Sequence, residues 1–203
     1  MLKILKNIRN SFFLFAILLI GFSNLEAKNS KDVSNTEVKK KTISHKKKYS
    51  LKLVNSKDGH PVRSGKKSYR FEVRLGDCGK DSGHDDCKKD RQRTELQFKK
   101  HQKDKKDYWY SASIYLPNDY QSVAPVRTTF VQLYERGWKP ILMVTDRTGE
   151  WLEIGRMWSG EYVEMKKALR INDMKGKWTD VLISGRFSRE DDGFMKVWVN
   201  NKL

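Results

Sequence analysis

The stretch Ser68-Tyr-Arg-Phe-Glu-Val-Arg-Leu75 alternates apolar and charged side chains one for one. A period of two is typical of a β-strand with one buried face. Further short segments rich in Trp, Tyr, Val and Ile follow, separated by turn signals such as Pro117-Asn118. They are Tyr108–Leu116, Thr128–Tyr134, Ile141–Thr145, Trp151–Ile154, Val181–Phe187 and Phe194–Val199. Many short strands between turns predict an all-β fold, a β-sandwich or jelly roll.

Two details of this pattern concern its later half. Glu164–Ile171 is the one fair helix candidate, and Asn200-Asn201 is typical of a two-residue hairpin turn. The sequence ends at Leu203, just where a partner strand for Phe194–Val199 should begin. We therefore expect a sandwich that is incomplete at its C-terminus.

The N-terminal sequence is typical of an export signal. An apolar run, Ser11–Phe22, follows a basic start and precedes small residues near Ala27, so residues 1–27 are predicted to be a signal peptide. An uncleaved anchor is the alternative, although the run is short for a membrane span. Residues 28–48 are Lys-rich and predict a disordered linker, and residues 49–203 form the predicted domain. The expected location is secreted or periplasmic, with no stable membrane span after cleavage.

The charge balance points to an anionic partner. The chain of 203 residues has a net charge of +17, and the domain stays basic without its Lys-rich tail. Such a field attracts polyanions. An exported protein meets acidic polysaccharide more readily than nucleic acid, so we expect an anionic polysaccharide and no nucleic acid. A basic surface that serves only solubility is the alternative, and the oligomeric state stays open.

Cys78 and Cys87 are the two cysteines of the chain. In an oxidising compartment they predict a disulfide that closes a short loop and contributes about 2–3 kcal/mol to stability. Zinc bound by the cysteines and His84 is an alternative, but the spacing matches no zinc pattern. Structural calcium is another, held by aspartates of this loop, namely Asp77, Asp81, Asp85 and Asp86. We expect no metal at the functional site and no cofactor.

Two polar segments supply candidate site residues. If Arg91–Gln97 is a strand, Arg93 and Glu95 share a face, where they form either a salt bridge or a clamp for a substrate carboxylate. In Phe130-Val-Gln-Leu-Tyr134, Gln132 and Tyr134 share a face. They supply a neutral amide donor and a phenol.

The tryptophans divide by context. Those within strand-like segments are expected in the core, and Trp138, in the turn Glu135–Pro140, is the better candidate to stack on a sugar ring. Its turn neighbours Arg136 and Lys139 are expected to bind substrate with it, as is Glu95. The tryptophans expected in the core are Trp109, Trp178 and Trp198.

Taken in order, several stretches resemble polysaccharide lyases of the heparin lyase I type over most of residues 58–203. The pair Arg93-Thr-Glu-Leu96 and Gln132-Leu-Tyr134 also resembles jelly-roll alginate lyases. The resemblance implies a concanavalin-like β-jelly roll that cleaves a uronic-acid-containing polysaccharide by β-elimination. The stretches that carry it are Gly65–Arg74, Arg93–Leu96, Tyr108–Pro117, Val131–Tyr134, Gly176–Ile183 and Asp192–Asn201.

The resemblance also implies roles for three residues. Gln132 and Arg93 would neutralise the uronate carboxylate, and Tyr134, where relatives often carry His, would act as the base. A phenol ordinarily has a pKa of about 10. It would need a cation beside it, such as Arg93, Arg136 or Lys139.

Two other functions stay open. A catalytically inactive jelly roll would bind the same polysaccharide without cutting it. An envelope-tethered structural protein would use its Lys-rich tail to hold an anionic surface.

Overall fold

A computed structural model describes residues 47–80, 83, 85–97, 105–135, 139–188 and 190–203, together with the backbone of residues 12–15. The chain divides into two compact units, one made of residues 1–21 and 99–203 and the other of residues 22–98.

The first unit is built from antiparallel strands. In its described part, a five-stranded sheet has the order β1-β5-β6-β7-β8 and a three-stranded sheet has the order β10-β9-β4. The second unit contributes β2 and β3, which pair with each other. The strands are β1 Phe12–Phe15, β2 Leu51–Asn55, β3 Lys67–Phe71, β4 Asp107–Tyr115, β5 Thr128–Glu135, β6 Pro140–Asp146, β7 Trp151–Trp158, β8 Glu161–Arg170, β9 Trp178–Arg186 and β10 Phe194–Val199.

Each large sheet buries one apolar face. Along β4 the buried residues alternate with more exposed ones, so that Tyr110, Ala112 and Ile114 point inward. The inward residues of the five-stranded sheet sit directly opposite each other, as Val131 does with Val144. Burial of these side chains drives the two sheets to form, at roughly 25 cal/mol per Å² of apolar surface. The fold is all-β and fits the predicted β-sandwich jelly roll.

The end of β10 confirms the predicted hairpin turn. Asn200 and Asn201 both have positive φ, 47° and 65°. The N–H of Val199 donates to the carbonyl of Lys202 at 2.8 Å, and the N–H of Lys202 donates back at 3.0 Å. Positive φ at both central residues gives a tight turn the twist that matches paired strands.

Four expectations about elements were wrong. The first concerns Ser68–Leu75, where the strand ends at Phe71 and Leu75 is 98% exposed. Beyond Phe71 the chain turns, because the carboxylate of Asp77 accepts a hydrogen bond from the N–H of Arg74 at 2.7 Å. A side chain that satisfies the backbone locally competes with a sheet ladder.

The second concerns the helix expected over Glu164–Ile171, which is strand β8 and pairs with β7 over Glu161–Arg170. Cross-strand pairing overrides the helix propensity of the segment. A short α-helix, Ile171–Met174, follows β8 and buries Ile171 and Met174, and a 3-10 helix in the second unit covers Ser56–Asp58. Third, the segment Arg91–Gln97 is not assigned to a strand.

The fourth concerns the strand tryptophans, which are not core residues. Trp109 is 60% exposed, and its ring stacks on Trp198 with the centroids 5.8 Å apart. Trp178 lies against Tyr115 at 5.3 Å. The side chains that alternate with them fill the interior, so these rings form the outer surface of the three-stranded sheet. We call Trp109, Tyr115, Trp178 and Trp198 the aromatic face.

Most of the predicted signal peptide and the Lys-rich linker lie outside the described residues. Within the signal segment, the backbone of Phe12–Phe15 forms β1 and pairs with β5. The export signal stays a prediction. In the described part of the chain, no helix is long and apolar enough to cross a membrane.

Candidate functional site

Gln132 and Tyr134 lie next to each other on β5. The phenol O–H of Tyr134 donates to Oε1 of Gln132 at 3.1 Å. The residues between and beside them, Val131 and Leu133, are each 2% exposed and point into the core. Strand alternation therefore forces the amide and the phenol onto the opposite face of the five-stranded sheet. The sequence placed these two side chains together, and the structure shows them in contact.

This hydrogen bond fixes the orientation of the amide. Oε1 of Gln132 is the acceptor for Tyr134, so the NH2 group is the donor end of the side chain. Gln132 is 8% exposed, which holds the amide in place. A donor in a fixed orientation is what the oxygen of a carboxylate requires.

The same face continues across β6 and β7. Met143 is opposite Gln132, and Gly155 is opposite Met143. Two positions along, Thr145 is opposite Glu153. We call the face that carries Gln132, Tyr134, Met143, Thr145, Glu153 and Gly155 the polar face.

The polar face buries two atoms that lack a hydrogen bond. Thr145 is fully buried and Glu153 is 5% exposed. Within the described residues, neither Oγ1 of Thr145 nor Oε2 of Glu153 makes a hydrogen bond, although Oε2 lies 3.9 Å from Nε of Arg147. Buried polar atoms are almost always paired in folded proteins, so such a pair of neighbours marks a place where a ligand or water binds.

Sequence reasoning missed a cluster of two arginines and a tyrosine over the polar face, namely Arg127, Arg147 and Tyr162. Nη1 of Arg127 donates to the hydroxyl of Tyr162 at 2.8 Å, and the guanidinium of Arg147 lies 5.1 Å from the centre of the same ring. Because Glu164–Ile171 was expected to be a helix, Tyr162 was not recognised as a residue of the strand β8. The three residues come from three separate segments, so no local spacing connects them. One signal was available, because Gly155 interrupts a strand-like apolar segment and such a glycine often permits a close approach.

The turn after β5 is described in part. Arg136 and Trp138 lie outside the described residues, so their expected contacts with substrate stay predictions. Lys139 donates to Oγ of Ser159 at 3.0 Å, at the end of the sheet where Tyr134 is opposite Pro140. Burial raises the pKa of Glu135, and Lys139 opposes that rise. Lys139 therefore lies near the end of β5 that carries Tyr134, whereas strand alternation points Glu135 to the face opposite Tyr134.

Arg93 and Glu95 belong to the second unit. Nε of Arg93 donates to Oδ2 of Asp86 at 3.0 Å, and Nη2 donates to Oδ1. Asp86 is 1% exposed, and Glu95 lies 3.9 Å from the guanidinium. The two-pronged contact predicted for a substrate carboxylate is made here with an internal aspartate. The roles of Arg93 and Glu95 in substrate binding stay predictions.

The disulfide between Cys78 and Cys87 is formed, with the Cα atoms 5.0 Å apart. The aspartates around it contact protein groups. Asp77 accepts from the hydroxyl of Tyr49 at 2.7 Å, and Asp85 lies 3.4 Å from the ammonium of Lys80. Among the residues that the structure describes, no group of three or more His, Cys, Asp or Glu could hold a metal ion. Asp81 and His84 are outside that set.

Comparison with known proteins identifies the family. The family model described as polysaccharide lyase matches residues 31–203, which is most of the chain. The chain belongs to the polysaccharide lyase family. No curated protein and no solved structure matches it. Family membership supports a lyase that acts on a polysaccharide. The family model does not distinguish the heparin lyase I type or the substrate.

Proposed function

We propose that this protein is an exported lyase that cleaves a uronic-acid-containing polysaccharide by β-elimination, in the manner of the heparin lyase I type. The observation that carries the proposal is the hydrogen-bonded pair of Gln132 and Tyr134 on the polar face. Membership of the polysaccharide lyase family supports the reaction class. The basic charge of +17 supports an anionic polymer as substrate.

The first chemical requirement is to acidify the proton at C5 of the uronate. That proton is too weakly acidic while the adjacent carboxylate keeps its full negative charge. The NH2 group of Gln132 donates to the carboxylate and stabilises the second negative charge that develops when the C5 proton leaves. A fixed donor aimed at developing charge typically contributes about 2.7–4 kcal/mol to the transition state.

The second requirement is proton transfer. Tyr134 first loses to solvent the proton that it donates to Gln132. As phenolate it then takes the C5 proton, and the electron pair of the C5–H bond forms the C4–C5 double bond. The bond from C4 to the glycosidic oxygen breaks, and the phenol of Tyr134 returns its new proton to that oxygen as it leaves. The products are one chain with a new reducing end and one chain with an unsaturated uronate at its non-reducing end, and no water is consumed. General acid–base catalysis of this kind contributes about 10²–10⁴ in rate.

Export is the second part of the proposal. The apolar run Ser11–Phe22 behind a basic start is typical of a signal peptide. The disulfide between Cys78 and Cys87 fits an oxidising compartment. An acidic polysaccharide outside the cytoplasm is then within reach of the protein.

The test is an ultraviolet assay for unsaturated uronate ends, with the purified domain and a panel of polymers. The panel contains glucuronan, alginate, heparin, heparan sulfate, chondroitin sulfate and hyaluronan. We expect absorbance to rise with at least one polymer, which also names the substrate. A folded protein that binds one of the polymers but forms no unsaturated ends with any of them would overturn the proposal and identify a carbohydrate-binding module.

A further inference from the structure

The cluster of Arg127, Arg147 and Tyr162 lies over the middle of the polar face. The ring of Tyr162 covers Gly155, since a Cβ built on that glycine would lie 2.3 Å from Cε1 of the ring. The hydroxyl of Tyr162 reaches Sδ of Met143 at 3.8 Å. Gly155 therefore makes the space in which the ring crosses β7 toward β6.

This position is linked to the catalytic pair by strand register. Met143 is the direct neighbour of Gln132, and Gly155 is the direct neighbour of Met143. Adjacent strands lie roughly 4.8 Å apart, so two steps place the floor below Tyr162 about 10 Å from Gln132. A polymer bound to both places would run across the strands.

The cluster carries positive charge that the described residues compensate weakly. Arg127 forms no ion pair with any described residue. Nε of Arg147 is 3.9 Å from Oε2 of Glu153, too far for a hydrogen bond. Both arginines are exposed. Two converging guanidinium groups are suited to an anion with several oxygens, such as a carboxylate or a sulfate.

Beneath the cluster lie the two buried atoms that make no hydrogen bond within the described residues. Oγ1 of Thr145 and Oε2 of Glu153 belong to directly opposed residues on β6 and β7. A hydroxyl offers one donor and two acceptor lone pairs, and a carboxylate oxygen accepts. Both atoms are shielded beneath the cluster, so the groups that a sugar can reach are the exposed guanidinium groups of Arg127 and Arg147.

We propose that Arg127, Arg147 and Tyr162 form a second anion subsite, which binds the acidic group of a sugar residue neighbouring the one that is cleaved. The inference rests on the proposed function, since it names a neighbouring sugar of the same substrate. It predicts that the preferred polymer carries acidic groups on successive or alternate sugars.

The test is a comparison of Arg127→Ala, Arg147→Ala and the double variant with Lys196→Ala. Lys196 is an exposed cation on the three-stranded sheet, placed 5.7 Å from the ring of Phe194. Its substitution removes the same charge without touching the polar face. KM and kcat are measured by the ultraviolet assay on the polymer that the wild type cleaves, at low and high salt.

We expect the arginine substitutions to change KM much more than kcat. Loss of a charge-assisted contact raises KM at least about tenfold for each arginine, while kcat falls less than about threefold. The double variant also loses most of the salt dependence of KM, because that dependence comes from the screened arginines. Arg127→Lys retains the charge but not the two-pronged geometry, so its KM should lie between those of the wild type and Arg127→Ala.

Other outcomes separate the inference from the proposed function. If the arginine variants show the same KM as Lys196→Ala, the subsite is overturned while cleavage by the wild type leaves the lyase assignment intact. If the wild type forms no unsaturated ends, the lyase assignment fails, and calorimetric binding of polyuronate decides the subsite. A Kd at least about tenfold weaker than that of Lys196→Ala supports the subsite, and an equal Kd overturns it. Arg127→Gln and Arg147→Gln replace any alanine variant whose melting shows it to be unfolded.

Discussion

The polar face and the aromatic face belong to the two large sheets of the same unit, and they differ in whether their polar groups have partners. On the aromatic side charges are paired, as in the contact of 2.6 Å between Arg186 and Asp107. On the polar face, buried atoms of Thr145 and Glu153 have no hydrogen-bond partner among the described residues. A surface with satisfied groups gains little from a polar ligand, whereas one with unsatisfied buried groups gains much. The comparison indicates that chemistry belongs to the polar face.

The largest effect on activity is expected for Tyr134→Phe, with Tyr115→Phe on the aromatic face as its control. Loss of the proton-transferring hydroxyl is expected to lower kcat by about 10²–10⁴, and the control should retain the activity of the wild type. The pH profile of the residual activity should lose the limb that reports the phenol. Comparable activity in Tyr134→Phe and the wild type would remove Tyr134 from the mechanism.

Gly155→Ala tests whether the centre of the polar face depends on Tyr162. The new Cβ would overlap Cε1 of the ring at 2.3 Å, so the ring must move or the strand must shift. We expect a loss of about 1–3 kcal/mol in the free energy of unfolding, together with a raised KM. Urea denaturation and steady-state kinetics measure the two effects.

The control for that substitution is Gly193→Ala. A Cβ at Gly193 has its nearest neighbour at 3.4 Å, an ordinary contact. A KM for Gly155→Ala that matches the KM of this control would show that the position of the Tyr162 ring is irrelevant to substrate binding.

Trp109→Ala is the corresponding substitution on the aromatic face. Trp109 is 60% exposed and stacks on Trp198, so its removal should cost about 0.5–1.5 kcal/mol of stability beyond the lost buried area. Turnover should stay at the level of the wild type. A loss of turnover as large as that of Tyr134→Phe, in a protein that still melts cooperatively, would move the active surface to the aromatic face.

Glu135→Gln should give the smallest effect, and it depends on pH. Burial raises the pKa of Glu135, so the folded protein holds this proton to higher pH than the unfolded chain does. The stability contributed by the protonated form is complete below the ordinary Glu pKa of about 4.3 and is lost as pH rises through the raised value. Glu135→Gln cannot lose a proton there. The melting temperature of Glu135→Gln should therefore increase relative to that of the wild type as pH rises from about 4 to about 7. A difference that does not change with pH would contradict the raised pKa of Glu135.

The sequence predicted those parts of the fold that depend on local alternation. Tyr108–Leu116 and Phe194–Val199 became strands because inward apolar residues alternate with outward ones, and Asn200-Asn201 formed its turn from the tolerance of Asn for positive φ. The same alternation failed at Leu75, where the Asp77 turn ends the pairing first. It also could not tell which face of β4 would be buried, so Trp109 was expected inside.

The candidate site was predictable only along one strand. Gln132 and Tyr134 are two residues apart, so a period of two suffices to bring them together. Tyr162 meets Arg127 and Arg147 through strand pairing between segments far apart in sequence, which no local pattern encodes. Arg93 was expected to bind a substrate carboxylate or to pair with Glu95. In the structure its guanidinium binds Asp86, which lies in the disulfide loop seven residues earlier, and its role toward substrate stays a prediction.

The most direct test of the account is the rate of unsaturated-end formation by the wild type, Gln132→Ala and Trp109→Ala, on one polymer and at equal concentrations of folded protein. We predict that wild type and Trp109→Ala form unsaturated ends at similar rates, and that Gln132→Ala is slower by about 10²–10³, as for the loss of a donor to developing charge. Equal rates for Gln132→Ala and the wild type would contradict the assignment of catalysis to the polar face.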